Sequence, residues 1–320
     1  MNLAIETRSL TRHYGATVAL DGLDWQVPVG SACAFLGPNG AGKSTALRLV
    51  MGFTPPTRGD SRVLGEDPWE MSAKTRARVG YVAEQPILPP WMKVGALLAF
   101  HRSLYPRWDA ALERELVDLL ELAPGKRVSE LSKGQHRRVM LTLALAQGGD
   151  LLILDEPGSG LDVAARRQLL SLLADFLGKE GRTLVFSTHI VTDVERIANH
   201  VSILDRGRLV ANDELDDLHE NVKSVTLPRA SFDRARARWE DAGILERKLD
   251  AHVAELVVRR FASHGQYVLR DLSEGPVTVE HGPHEDVWMG TGGEAAQVRH
   301  MALEDIFLAL TSGEREEAVA

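Results

Sequence analysis

Gly37-Pro38-Asn39-Gly40-Ala41-Gly42-Lys43-Ser44 fits the pattern G-x-x-x-x-G-K-[ST] at every fixed position. Ala32–Leu36, just before it, is a short apolar run that reads as a buried strand. Ser44–Met51, just after it, reads as a helix. The glycines let backbone N–H groups converge on phosphate oxygens, and the helix N-terminus adds its partial positive charge. Lys43 can reach β- and γ-phosphates, and the Ser44 hydroxyl can ligate Mg²⁺. Strand, loop and helix in this order open a nucleotide-binding α/β unit.

The rest of the α/β pattern follows from periodicity. Leu23, Trp25 and Val27 alternate with Asp24 and Gln26, as in a half-buried strand. Leu151–Leu154 and Thr183–Ser187 read as apolar strands with the helix Val163–Leu177 between them, and His200–Leu204 reads as another strand before the turn Asp205–Gly207. Between about residues 86 and 150 the texture is helical: Trp91–Leu104, Ala110–Leu122 and Gln135–Gln147, broken at Pro106 and at Pro124-Gly125. This predicts a helical insert within an α/β core that ends near Leu218. From about Asn221 short strand-like runs recur (Val222–Leu227, Val253–Val258, Tyr267–Leu269, Val277–Val279). A helix Phe232–Ala242 closed by Gly243, and a last helix with Leu303, Ile306, Phe307 and Leu310 on one face, complete the pattern. The expected division is 1–220 and 221–320, the second part a small α+β domain, with a charged, frayed tail at Glu314–Ala320.

A second chemical signal is Leu151-Leu152-Ile153-Leu154-Asp155-Glu156, an apolar strand ending in two carboxylates. Beside a phosphate loop, Asp155 is placed to orient Mg²⁺ and Glu156 to act as base toward an attacking water. Neighbouring side chains on a strand point to opposite sides, which lets the pair divide these roles. A third signal is Leu131-Ser132-Lys133-Gly134-Gln135. Ser132 and Gln135 have the spacing of a helix capping box, and a glycine-containing helix N-terminus also suits a phosphate. Both uses stay open at this point.

Together these blocks resemble the ATP-binding subunit of an ATP-binding cassette (ABC) transporter. Leu131–Gln135 is similar to the family's LSGGQ signature, Ser159-Gly160-Leu161-Asp162 to its D-loop, and Ser187-Thr188-His189 to its switch-histidine segment. Tyr14, in Arg12-His13-Tyr14-Gly15, takes the place of the aromatic that stacks on adenine. The likeness covers residues 1 to about 218 in the family's order. It implies a P-loop ATPase with a RecA-like core, a β-subdomain and a helical subdomain. It also implies ATP and Mg²⁺ as ligands and two ATPase subunits, identical or not, packed head to tail. Gly37, Pro38, Asn39, Gly40, Ala41, Gly42, Lys43, Ser44, Thr45 and Glu84 would hold the nucleotide of one copy. Ser132, Gly134 and Gln135 would cap that of the other, with Asp162 coupling the sites. Ser44, Asp155 and Glu84 would face the metal; Lys43, Glu156 and His189 would serve hydrolysis.

Three departures from the family pattern stand out. Glu84 occupies the place of the Q-loop glutamine, Gly158 that of a threonine before the D-loop, and Lys133 that of the first signature glycine. The change at 84 is expected to alter activity and that at 158 to loosen the turn. The segment Tyr105-Pro106-Arg107-Trp108-Asp109, together with Lys133, resembles ABC-2 exporters of the bacitracin-export and acetoin-utilisation group. The implied role is an ATPase on the cytoplasmic membrane face, driving export through a separate integral-membrane permease. The competing role is a soluble ATP-gated dimerisation switch outside transport. Pro86–Met92 is unusually apolar, and Ile87, Leu88 and Trp91 either line a groove for a permease helix or pack the insert's own core. The C-terminal part reads equally as a regulatory, partner-binding or merely stabilising addition.

Composition sets bounds. The chain has 320 residues, 37 Lys and Arg against 45 Asp and Glu, and a formal charge of −8, with a pI near 5.8. Such acidity disfavours a dedicated nucleic-acid binder, so no nucleic-acid partner is expected. A single cysteine, Cys33, excludes an internal disulfide and suits a reducing compartment. No apolar run approaches the ~18 residues that span a bilayer, and the N-terminus lacks the form of a secretory signal.

Overall fold

The structure, a computed structural model, describes residues 2–85, 87–272, 278–282, 284–289 and 295–312. Pro86, Val277 and the tail Glu314–Ala320 lie outside them. The chain divides into two compact units, Met1–Asn212 and Asp213–Ala320, ahead of the change of texture expected near Asn221.

The first unit opens with β1 (Leu3–Tyr14), β2 (Thr17–Leu23) and β3 (Gln26–Pro28). These strands, with β5 (Arg58–Val63), make a four-stranded sheet in which β1 pairs antiparallel with the other three. The alternation expected at Leu23, Trp25 and Val27 is present, all three being fully buried, but the chain breaks between β2 and β3 at Asp24-Trp25. β4 (Ala32–Leu36) leads through the glycine loop into α1 (Lys43–Val50). α2 (Ala73–Arg76) and β6 (Val79–Val82) precede the helical layer: α3 (Val94–Leu104), α4 (Ala110–Leu119) and α5 (Lys133–Ala146). β7 (Leu151–Leu154), α6 (Val163–Leu177), β8 (Thr183–Thr188), α7 (Val191–Ile197), β9 (His200–Asp205) and β10 (Arg208–Glu214) return the chain to the core.

These strands form a six-stranded sheet in the order β10-β9-β4-β8-β7-β6. Pairing is parallel from β9 through to β6. Every residue of β4, β7, β8 and β9 is buried, as a parallel sheet covered on both faces requires. Ligands in such sheets bind beyond the carboxyl ends of the strands, which is where β4 delivers Gly37 and β7 delivers Asp155. Trp25 stacks on Phe35 of β4 with ring centroids 4.5 Å apart and donates from Nε1 to Ser202 of β9 at 2.8 Å. That packing fixes the strand just before the glycine loop.

The helical layer has its own small core of Val94, Leu97, Leu98, Val128, Val139 and Leu143, with Leu88, Met92 and Trp108 packed against it. Trp91 lies ahead of α3, which starts only at Val94.

The second unit holds α8 (Leu215–Asn221), β11 (Lys223–Pro228), α9 (Arg229–Arg234), α10 (Arg236–Asp241), β12 (Ile244–Leu249), β13 (Val253–Val258), α11 (Gln266–Leu272), β14 (Thr278–His281), β15 (Glu285–Met289), β16 (Ala295–His300) and α12 (Leu303–Ser312). Its antiparallel sheet runs β12-β13-β11-β16-β15-β14 around a core with Phe232, Trp239 and Val298 at its centre. Two expectations are corrected here. Tyr267–Leu269 lies in α11 rather than in a strand, since three consecutive apolar residues carry no period that separates strand from helix. The single helix expected at Phe232–Ala242 is broken at Ala235, whose φ of −114° and ψ of 18° leave the helical region. In α12, Leu303, Ile306, Ala309 and Leu310 are buried as the period predicts, whereas Phe307 is only partly covered.

Candidate active site

Glycine is demanded at two points of the loop. A β-carbon on Gly37 would lie 2.4 Å from the Leu204 carbonyl oxygen, and one on Gly42 2.4 Å from that of Ala19. Gly42 also has φ +109°, where other residues are strained. It caps the N-terminus of α1 without any side-chain hydrogen bond, and no acidic residue occupies the first turn. The helix N-terminus therefore keeps its positive end for an anion.

The five residues expected to carry phosphate and hydrolysis chemistry meet at one place. Lys43, although only 6% exposed, carries its charge into the loop, donating from Nζ to the Gly37 carbonyl at 2.6 Å and to that of Pro38 at 3.2 Å. The same ammonium stands 3.3 Å from Glu156 Oε1. Ser44 Oγ donates to Asp155 Oδ1 at 3.0 Å. His189 Nδ1 lies 3.0 Å from Glu156 Oε2.

Strand alternation does not separate the two carboxylates. Both follow β7, and Glu156 has φ +49°, a left-handed conformation that costs a non-glycine residue about 1–2 kcal/mol. This turn of the backbone sends Asp155 to Ser44 and Glu156 to Lys43 and His189. Ser187, fully buried, holds it in place: its hydroxyl donates to Asp155 Oδ1 at 2.7 Å and accepts from the Glu156 amide at 2.8 Å. Sequence reasoning assigned Ser187 no role. The one available signal was a serine at the end of an apolar strand beside the acidic one.

Buried charge surrounds this centre. Burial pushes the Asp193 carboxyl above its usual range and nearby Glu156 adds to this, against the opposing pull of Arg166, Arg196 and His189. Arg166 Nε lies 3.9 Å from Asp193 Oδ2 and makes no hydrogen bond. A β-carbon on Gly158 would come within 3.2 Å of that same oxygen, so the missing threonine side chain would have pressed on this ion pair. The turn itself is tied by Ser159 N to Glu156 O at 3.1 Å and Leu161 N to Gly158 O at 3.3 Å. Burial and the neighbouring Asp155 charge push the Tyr81 phenol up to about 12, which keeps it neutral beside the carboxylate.

Ser132 and Gln135 form the capping box of α5, Ser132 Oγ accepting from Gln135 N at 3.2 Å and Gln135 Oε1 from Ser132 N at 3.0 Å. Gly134 is exposed beside them. Asp162 caps α6, accepting from Ala165 N at 2.8 Å. Tyr14 ends β1, and the Arg12 guanidinium lies over its ring at 4.6 Å. Among the described residues, no hydrogen bond joins the Glu84 side chain to Ser44 or Asp155. Glu84, Lys133, Gly134, Ser159 and Gly160 instead line a cavity of about 540 Å³.

Ile87 is 98% and Trp91 73% exposed, so neither packs the helical core, whereas Leu88 does. No helix of the described residues is long and apolar enough to cross a membrane.

Comparison with known proteins gives a consistent result. A family profile described as ABC transporter matches residues 20–159. The Nod factor export ATP-binding protein I of Cupriavidus pinatubonensis is 36% identical over 219 residues, 67% of each chain. The Fe(3+) ions import ATP-binding protein FbpC 2 of Rhodococcus jostii is 34% identical over 239 residues, 72% of this chain and 68% of that one. A solved ATP-binding subunit of an ABC transporter superposes with a TM-score of 0.61 at 30% identity, covering 68% of this chain and 92% of the other.

Proposed function

The chain belongs to the ABC transporter ATP-binding family, and from that premise we propose that it is the ATPase subunit of an exporter, hydrolysing ATP at the Lys43–Glu156 site. The observation that carries the hydrolysis is the meeting of Lys43, Ser44, Asp155, Glu156 and His189 at the carboxyl ends of β4, β7 and β8. ATP is the substrate. Its phosphates would lie along the N–H groups of Gly40 to Thr45, with Lys43 exchanging its carbonyl partners for β- and γ-oxygens. Glu156 would take up the proton of the attacking water, and His189 would hold that carboxylate in orientation.

The donor chemistry fits magnesium. Ser44 Oγ and Asp155 Oδ1 are hard oxygen ligands 3.0 Å apart. The rest of the ion's shell would come from phosphate and water. When bound, the ion would supply charge neutralisation at the β- and γ-phosphates. By the family resemblance, Glu84 would be a further donor.

For partners we infer a second ATPase subunit, whose nucleotide would meet Ser132, Gly134 and Gln135, and a membrane permease on the cytoplasmic face. The export direction follows the Nod factor export relatives. The exposed Ile87 and Trp91 support permease docking and favour transport over a free-standing switch.

Two experiments test this reading. Purified protein should release phosphate from Mg-ATP, and a rate no greater than that of the Lys43→Ala variant would refute it. Ile87→Asp and Trp91→Ala, in cells that make the permease, should move the protein out of the membrane fraction while turnover in solution persists. Undiminished membrane association would refute the docking surface.

A further inference from the structure

Arg137 lies on α5, two residues beyond the capping box, and its guanidinium reaches to segments outside the helical layer. One nitrogen donates to the carbonyl of Ser159, and the other donates to the carbonyl of Glu84 at 3.0 Å. These two acceptors belong to the segments that hold the acidic strand end. On one side, Ser159 N donates to Glu156 O at 3.1 Å; on the other, Asp155 N donates to Val82 O at 2.8 Å, two residues before Glu84. The neighbouring Arg138 stays within the layer, donating to the Leu120 carbonyl at 3.1 Å.

The planar fork of an arginine suits two acceptors in fixed directions, and lysine cannot reproduce it. Charge-assisted bonds to carbonyls are also the stronger kind. Half-buried, Arg137 lies against the cavity shared by Glu84, Lys133, Gly134 and Ser159.

We propose that Arg137 is a positioning residue for hydrolysis: it ties the signature helix to both segments flanking Asp155 and Glu156, so that the helix and the carboxylates keep a common register. Among the described residues its side-chain hydrogen bonds go to Ser159 and Glu84 and not to the glycine loop or Lys43, so it sets turnover and not nucleotide capture. The proposal rests on the reading of Glu156 as the hydrolytic base.

The test compares wild type, Arg137→Gln, Arg137→Lys and Glu156→Gln in the full chain, measuring ATP turnover and thermal unfolding. Arg137→Gln should lower kcat by about tenfold or more, the scale of misplaced catalytic groups, with KM for ATP within about twofold of wild type. Arg137→Lys, keeping one donor at a time, should recover part of kcat. An unchanged kcat in Arg137→Gln would overturn the proposal. So would a parallel fall in KM performance, kcat and melting temperature, the sign of a merely structural role. If Glu156→Gln turns over normally, the reading of Glu156 fails first and the proposal goes with it.

Discussion

Lys43 and Glu156 face each other across the site, Nζ to Oε1 at 3.3 Å, with both side chains almost completely covered. The contact is ionic and not a directed hydrogen bond, since Oε1 accepts none. Lys43 is thus held by the Gly37 and Pro38 carbonyls on one side and by a carboxylate on the other. A triphosphate must replace these oxygens with its own. Lys43→Ala removes the cation and leaves Glu156 buried beside the phosphate site. ATP affinity should then fall by about a hundredfold, the scale of losing hydrogen bonds to charged groups. Equilibrium binding of a fluorescent ATP analogue reads this directly, and unchanged affinity would remove Lys43 from the site.

Gly42 tests whether the loop's shape is as required as its charge. Gly42→Ala sets a methyl group 2.4 Å from the Ala19 carbonyl at φ +109°. The strain and overpacking together should cost about 3 kcal/mol of folding stability. Gly40→Ala is the control: its φ is +84° but nothing lies within 4 Å of the added carbon, so it should lose only the backbone term of about 1–2 kcal/mol. Denaturant unfolding measures both; equal losses would contradict the packing described.

Ser187 should matter for turnover more than its small size suggests. Ser187→Ala deletes the one hydroxyl shared by Asp155 and the Glu156 amide. The freed buried amide should cost about 1–3 kcal/mol, and kcat should fall about tenfold as Glu156 loses its fixed direction. Steady-state kinetics on Ser187→Ala and Ser187→Thr would check this, with Thr retaining more of the rate than Ala.

Acid stability has a named contributor in Asp150. Burial alone would raise its carboxyl, but Arg78 at 2.6 Å and Arg107 at 2.7 Å outweigh burial and hold it below the ordinary range. A lowered native pKa means the unfolded chain binds the proton first on acidification. The stabilisation is therefore complete above about pH 4, the unfolded value, and is lost as pH falls through the native one. Asp150→Asn should lower the melting temperature at pH 7, and the gap from wild type should shrink steadily below about pH 4. A gap independent of pH would remove the ionic explanation.

What the sequence revealed follows from how much chemistry constrains each residue. The glycine loop and the Asp155-Glu156 strand end were legible because phosphate binding admits few residue types. α6 was legible to the residue because Asp162 marks its start and its apolar period is unbroken. β1 was not, since Ser9 at φ +46° shifts the strand's phase between Arg8 and Thr11. Ile5 and Thr7 are buried on one phase, then Leu10 and Thr11 consecutively, which defeats a period-two reading. Arg137 carries no signal in the sequence, because its partners are backbone carbonyls 22 and 53 positions away. No residue type announces such an acceptor.

The most direct test of the central claim is ATP turnover by Glu156→Gln, measured with ATP affinity on the same preparation. The substitution keeps the size of the side chain and removes the base beside Lys43 and His189. The account predicts a fall in kcat of about a thousandfold, within the range of lost general-base catalysis, with ATP still bound at least as tightly as by wild type. Turnover within about threefold of wild type, where general-base loss demands far more, would contradict it.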